Sequence, residues 1–363
     1  MQIKRIEIKN FRNIESAVLN VGCKDIILIG KNGQGKTNIL ETIYYLCYGS
    51  SFRTVNNREL IKNNQNWFFL SSEYEDYNKV PHFLSISFDG KKKLIKMDGK
   101  EINDRRQIIN NIPCIIFCHD DIEIIKGEPE LRRRFFDQTL MLTDYSYVEK
   151  YRNYRLVLNQ RNSLLKSERK DLISLYNEKY IEYGLEIVNE RKKVCKKLSD
   201  ILSELYDNIT GEKKDLKIQY RSSWLSDDID KVKLLEKLNS LYETELKFHT
   251  SLSGPHRDKF IITDTNGLFT AKASTGQLRL VSLLLKTAQA YYYRQLTDCN
   301  PVYLIDDVLL ELDIQTRAAY LNLINYYSQA FYTFLPNENY FDNRDCKSDT
   351  KIFNVEQGKY FEK

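Results

Sequence analysis

No stretch of the 363-residue chain approaches eighteen uninterrupted apolar residues, so no segment of it reads as a membrane-spanning helix. The N-terminus, Met1-Gln2-Ile3-Lys4-Arg5-Ile6-Glu7-Ile8-Lys9, alternates as a strand does and lacks the apolar core of a secretory signal. Cysteine is sparse and odd in number. There are seven, none in a Cys-x-x-Cys pair, which argues against a disulfide framework and suits a reduced cytoplasm. Cys114 and Cys118 adjoin His119, but they lie in an apolar run with no second cluster of matching spacing, so they read as buried thiols rather than metal ligands. Internal repeats and low-complexity tracts are also missing. From Pro129 to Leu205 glycine nearly vanishes and proline does not recur, which removes the punctuation of turns and leaves room for long helices. A net charge of +5 permits nucleic-acid binding without demanding it.

What is present is concentrated at Gly30-Lys31-Asn32-Gly33-Gln34-Gly35-Lys36-Thr37, which fits G-x-x-x-x-G-K-[ST]. Ahead of it Asp25–Ile29 reads as a buried parallel strand. Behind it Asn38–Leu46 carries apolar residues at helical spacing. Strand, glycine-rich turn and helix N-terminus form an anion cradle, with Lys36 reaching the β- and γ-phosphates and the Thr37 hydroxyl ligating Mg²⁺. Pro301-Val302-Tyr303-Leu304-Ile305-Asp306-Asp307 runs a buried strand into two aspartates. Asp306 then reads as a Walker B carboxylate on the Mg²⁺ water shell, and Asp307 as the group that orients or deprotonates the attacking water. Ala273-Ser274-Thr275-Gly276-Gln277 leads into an apolar helix. Alone it is an N-cap with glutamine at the capping-box position; with the two Walker elements it reads as an ABC-type signature loop, Ser274 and Gly276 facing a phosphate.

The first 127 residues read as α/β and strand-rich. Ile3, Ile6 and Ile8 open a hairpin, Phe83–Phe88 and Lys93–Met97 are strands around Asp89-Gly90, and 111–117 is a core strand. Residues 129–205 fit two long amphipathic helices with Tyr151, Tyr154, Leu158, Leu165, then Leu175, Tyr176, Ile181, Leu185 and Val188 on the apolar face. Arg132, Arg133, Arg134, Arg152, Arg155, Arg161, Arg191, Lys192, Lys193, Lys196 and Lys197 fall on the polar face. That face is either simply solvated or an arm lying along a phosphate backbone. Strands return at 216–220 and 259–263 with a helix across 226–247 between them. The expected architecture is an α/β, ABC-type P-loop ATPase head, a mixed sheet with flanking helices, made of 1–127 and 209–363, with a helical arm at 128–208. The tail from 337 is expected to be weakly ordered until 351–355.

Several stretches together resemble the RecF family, bacterial replication and recombinational-repair ATPases that are short-armed relatives of the SMC ATPases. They are Asn10-Phe11-Arg12-Asn13, the phosphate loop with Asn38, Ser51-Phe52-Arg53, Pro129-Glu130-Leu131-Arg132-Arg133, Gln160-Arg161-Asn162, Ser253-Gly254-Pro255-His256-Arg257-Asp258, Ser274–Gln277 and Tyr303–Asp313. The resemblance implies a cytoplasmic, weak DNA-stimulated ATPase that binds single-stranded gaps and single/double-strand junctions. ATP would join two heads, each nucleotide held between one subunit's Gly30–Asn38 and the other's Ser274, Gly276 and Gln277. Slow hydrolysis would release them, and RecR and RecO would be partners in RecA loading and the SOS response. Arg12 and Arg53 are then nucleotide contacts or members of a structural salt bridge, and His256 and Arg257 a contact relay or a hydrogen-bonded turn. The chain departs from the family pattern at His119, where proline is usual, and at Glu128 and Phe136, so no role is carried over to 118–121. An ABC-transporter-type ATPase subunit is the competing reading, but it needs a histidine that Phe331-Tyr332-Thr333-Phe334 does not supply. The 57 residues after Asp306 are too few for a fused nuclease, and the chain is too short for a full SMC coil.

Overall fold

A computed structural model describes residues 1–103, 106–109, 111–224, 230–336 and 349–363. The chain begins with β1 (Gln2–Phe11), β2 (Ile14–Asn20), β3 (Asp25–Ile29), α1 (Lys36–Tyr48), β4 (Phe68–Glu75), β5 (Pro81–Phe88), β6 (Lys93–Met97), β7 (Lys100–Glu101), α2 (Arg106–Ile109) and β8 (Cys114–Phe117). A helical stretch follows, α3 (Ile122–Lys126), α4 (Pro129–Thr143), α5 (Tyr145–Lys166) and α6 (Lys170–Thr210). Then come β9 (Lys217–Arg221), α7 (Lys231–Phe248), β10 (Lys259–Asp264), β11 (Gly267–Leu268), α8 (Phe269–Lys272) and α9 (Thr275–Thr297). The chain closes with β12 (Val302–Asp306), α10 (Ile314–Leu323), β13 (Gln329–Phe334), β14 (Thr350–Glu356) and β15 (Lys359–Glu362).

Two compact units result: Met1–Asp121 with Tyr293–Lys363, and Ile122–Tyr292. In the first, an antiparallel sheet of order β2-β1-β4-β5-β6-β7 and a second sheet of order β15-β14-β3-β13-β12-β8 enclose α1. The second sheet is parallel except for β15, so its inner strands are apolar on both faces, as in the Asp25–Ile29 run. Ile3 and Ile6, three apart, both face the core because the β1–β4 register shifts between Ile3 and Arg5. A shared core of β1, α1, β4, β5, β3 and β12 side chains seals this unit.

The second unit is built on α6, 41 residues long, which packs along α5 and against α4, α7 and β9 of the three-stranded sheet β11-β10-β9. The segment 209–292 groups with the helices rather than with the head expected to begin at 209, because β9 lies on α6 and β10 on α4. Two corrections follow from burial. Arg161 and Arg191 lie in the interior, 0% and 2% exposed, and not on the basic face; Leu175 is 69% exposed and not on the apolar one. Residues 337–348 of the expected loose tail, and 226–229 of the expected 226–247 helix, lie outside the described residues.

Candidate nucleotide-binding site

Buried β3 delivers the chain into the loop Gly30–Gly35, and α1 begins at Lys36, so the loop's N–H groups and the positive end of α1 face the same space. Gly35 has a φ of +111°, and a Cβ there would stand 2.8 Å from Asn13 Oδ1. The position needs glycine twice over, for its backbone and for its neighbour. Asn13 earns that closeness by bracing the loop: its amide donates to the Gln34 carbonyl at 3.2 Å and its oxygen accepts from Asn38 at 2.8 Å. Lys36 is 4% exposed, donates to the Gly30 carbonyl at 2.7 Å, and lies 3.6 Å from Asp307 Oδ2.

β12 runs parallel to β13, which runs parallel to β3, so the carboxyl ends of all three strands meet beside the loop. Thr37 donates to Asp306 Oδ1 at 2.9 Å, joining the two halves of the predicted site. Between them, Thr333 of β13 holds its hydroxyl 3.1 Å from Asp306 Oδ1 and 2.8 Å from Asp307 Oδ1, and accepts the Asp307 N–H at 2.9 Å. Asp307 sits in the left-handed region at φ +52°, a strained conformation for a non-glycine that turns its carboxylate back toward Lys36. Burial pushes the Asp306 carboxyl above its ordinary range. Hydrogen bonds from Thr37 and Thr333 pull the other way, and the Asp307 charge adds to the push. No cluster of three or more acid, histidine or cysteine ligands exists among the described residues. A hydroxyl and one carboxylate, both hard oxygen donors, fit a Mg²⁺ that takes its remaining ligands from phosphates and water.

The end of the chain buttresses this loop, a role that local sequence did not signal. β14 pairs with β3, and the turn into β15 grips Gln34. Gln357 N–H donates to its side-chain oxygen at 2.7 Å, Gly358 N–H to its carbonyl at 2.8 Å, and the Tyr360 hydroxyl to the Gly35 carbonyl at 3.0 Å. A cavity of about 740 Å³ opens alongside, lined by Gly30, Lys31, Gln34, Gln357, Lys359 and Phe361.

Of the arginine candidates, Arg12 forms a two-pronged pair with Glu41 at 2.9 and 2.7 Å, and Arg53 reaches the same carboxylate at 3.3 Å and Asn38 at 3.1 Å. Ser51 completes that cluster on the buried Glu41. His119 pairs with Glu311, tying the 118–121 loop to the segment after Asp307. Ser274, Gly276 and Gln277 belong to the second unit. Ser274 N–H donates to the Gln277 side chain at 3.0 Å and Gln277 N–H to the Ser274 hydroxyl at 3.3 Å, a capping box at the start of α9, with Ser274, Thr275 and Gly276 exposed. His256 is a half-buried turn residue: its Nδ1 meets the Tyr154 hydroxyl at 2.8 Å and its Nε2 the Ser251 carbonyl at 2.9 Å. Gly254, at φ +138°, leaves no room for a Cβ, which would stand 2.3 Å from the Tyr180 hydroxyl.

Two sheets enclosing α1, with a phosphate loop at one strand end and an acidic pair at another, define a head of the SMC-type ATPase class. The family model for the RecF/RecN/SMC N-terminal domain matches residues 2–359. The chain is 35% identical to the DNA replication and repair protein RecF of Treponema pallidum, covering 96% of this chain and 98% of that one. It is 33% identical to RecF of Leptospira interrogans over 99% of each. A solved structure of the recombination mediator RecF with ATP, described within the RecFOR pathway, superposes with a TM-score of 0.90 at 28% identity, over 100% of this chain and 97% of that one. An SMC head bound to a ScpA domain shares the fold at 15% identity and a TM-score of 0.60, covering 100% of this chain and 97% of that one. The chain belongs to the RecF family.

Proposed function

We propose that this protein is an ATP-gated DNA-binding protein of replication and recombinational repair, working in the cytoplasm. The observation that carries the ATP half is the meeting of Lys36, Thr37, Asp306 and Asp307 at adjoining strand ends. Lys36 binds the β- and γ-phosphates, the loop N–H groups from Gly30 to Asn38 cradle them, and Arg12 stands one helical turn away through Glu41. Thr37 and Asp306 hold Mg²⁺, which when bound offsets phosphate charge in the reaction. Asp307 orients the attacking water or takes its proton, and a carboxylate one methylene shorter than glutamate suits slow turnover in a switch.

ATP joins two heads, with the exposed Ser274 and Gly276 and the half-buried Gln277 of one subunit on the γ-phosphate held by the other, and hydrolysis releases them. Dimers bind single-stranded gaps and junctions and act with RecR and RecO in RecA loading and SOS induction. The family relatives and the pathway named for the ATP-bound homologue support this reading. Sedimentation with and without ATP and gapped duplex DNA tests it. The expected results are a nucleotide-dependent dimer, salt-sensitive DNA binding, and a Ser274→Arg variant that binds ATP but stays monomeric. A Ser274→Arg dimer would break the sandwich. A wild-type protein that stays monomeric with ATP and ignores DNA would leave a generic ABC-type ATPase.

A further inference from the structure

The second unit contains a cavity of about 580 Å³ whose walls are rich in arginine. Arg133 and Arg134 enter it from α4, Arg155 from α5, Arg191 from α6 and Arg257 from the turn at Pro255–Arg257. Arg191 is answered by acids: it donates twice to the Asp137 carboxylate, each at 2.9 Å, and lies 3.3 Å from Asp258. Arg133 and Arg257 donate to main-chain carbonyls instead, Arg133 to Asp258 at 2.9 Å and Arg257 to Ser251 at 3.2 and 3.3 Å, and these bonds cancel no charge. Arg134 and Arg155 are exposed and make no hydrogen bond or ion pair with any described residue. The acids of the wall are Asp137, already engaged by Arg191, and Glu130.

Two neighbours register the surplus of positive charge. Burial, reinforced by the charges of Arg257, Arg133 and Arg155, lowers His256 to about 4, so this wall residue adds no charge of its own. Burial and the nearby Arg191 together pull Arg133 below the usual guanidinium value. Guanidinium groups concentrated in one wall, two of them without a partner among the described residues, offer donors to an anion.

We propose that this cavity is a phosphate-binding subsite that takes one nucleotide unit of a DNA strand. Guanidinium forks match phosphate oxygens two at a time. The volume falls within the range of about 300–1,000 Å³ usual for small-molecule sites, larger than a bare ion requires. Tyr151 supplies an aromatic ring in the wall for a base to stack on. The proposal rests on the DNA-binding reading for its source of phosphate; a free nucleotide or inorganic phosphate offers the same chemistry.

The test uses the full chain and the paired variant Arg134→Ala/Arg155→Ala, with Arg134→Lys/Arg155→Lys as the charge-retaining control and thermal melting to confirm folding. Anisotropy with a short single-stranded oligonucleotide is read across a salt series. The alanine pair is expected to bind about tenfold more weakly at low salt, the equivalent of one charge-assisted hydrogen bond. Its slope of log affinity against log salt is expected to be shallower by about 1–2, with the lysine pair near wild type and ATP binding unchanged.

A second arm adds inorganic pyrophosphate to a Lys36→Ala background, where the phosphate loop contributes little. A rise in melting temperature that the alanine pair abolishes supports the subsite. If that rise is lost while DNA binding keeps its slope, the site stands and its source is a free phosphate compound. An alanine pair that keeps both the DNA slope and the pyrophosphate response overturns the proposal. A wild-type protein that does not bind DNA at all sinks the DNA reading, and the pyrophosphate arm then decides the cavity by itself.

Discussion

Both units answer a buried carboxylate with arginine, Glu41 with Arg12 in the first and Asp137 with Arg191 in the second, but the acidic pair at the end of β12 is balanced differently. In the second unit the buried carboxylates Asp137 and Glu245 each meet a buried arginine. Arg161 donates to Glu245 at 2.5 Å, Ser251 at 2.6 Å and Asn177 at 2.9 Å, all inside a network with 0% exposure of the pair, and Glu245 takes the Leu252 N–H with its other oxygen. In the first unit Asp306 and Asp307 stand side by side, answered by two threonine hydroxyls and by one lysine 3.6 Å away. The first arrangement is complete by itself and fixes how helices and loop pack. The second carries surplus negative charge and a strained backbone at Asp307; on the proposed function a bound cation would offset that charge.

The largest effect should come from breaking the complete side. Arg191 ties Asp137 of α4 to Asp258 and the Pro255 carbonyl, at 2.9, 3.3 and 2.7 Å. Arg191→Met leaves two buried carboxylates without their cation and is expected to cost about 3–5 kcal/mol. Urea unfolding measures it, and a loss under 1 kcal/mol would show that the network is ornamental. Changing Arg191, Asp137 and Asp258 together to apolar residues should recover much of that loss.

The incomplete side was the more legible in the sequence. A phosphate loop declares itself because strand, glycines, lysine and threonine are contiguous, and Asp306 could be paired with Thr37 from chemistry alone. The complete side was obscured by its own residue types. The buried stripe of α6 passes through Asn177 and Arg191, so apolar periodicity alone seats Leu175 inside and the arginine outside. Arg161 misled in the same way, because a buried arginine is identified by partners on other elements, Glu245 and Ser251. The β14–β15 buttress was unreadable for a related reason: its grip on Gln34 is made by backbone N–H groups more than 300 residues away, whose identity carries no signal.

A smaller effect separates two residues of one motif. His256, lowered to about 4 chiefly by burial, stays neutral in the fold while the unfolded chain takes a proton below about 6.5. Its contribution is therefore lost as pH falls from 6.5 to 4, reaching about 3 kcal/mol. Asp258 is raised to about 6 by burial, since Arg191 is shared with Asp137. The fold takes that proton before the unfolded chain does, so its contribution grows as pH falls from 6 to 4 by about 3 kcal/mol. The two nearly cancel. His256→Gln should gain stability, relative to its own value at pH 7, as pH drops to 4.5, and Asp258→Asn should lose it. Chemical unfolding at both pH values is the check, and equal slopes in the two variants would mean that neither group titrates as its burial demands.

The smallest stability change, with the opposite sign to that of Arg191, is expected at Asp306. The amide in Asp306→Asn keeps an acceptor for the Thr37 hydroxyl but removes a charge that burial and Asp307 both oppose. Without nucleotide the variant should therefore be more stable than wild type, by about 0.5–2 kcal/mol. On the proposed function it should also lose Mg²⁺-dependent turnover by about 10²-fold or more. Melting temperature and phosphate release, measured on the same preparation, decide it. A variant that is less stable as well as inactive would put Asp306 with the structural charges of the second unit, and the contrast between the two regions would fall. Stability gained as activity is lost would show that the acidic pair is held at a cost the fold does not need for itself.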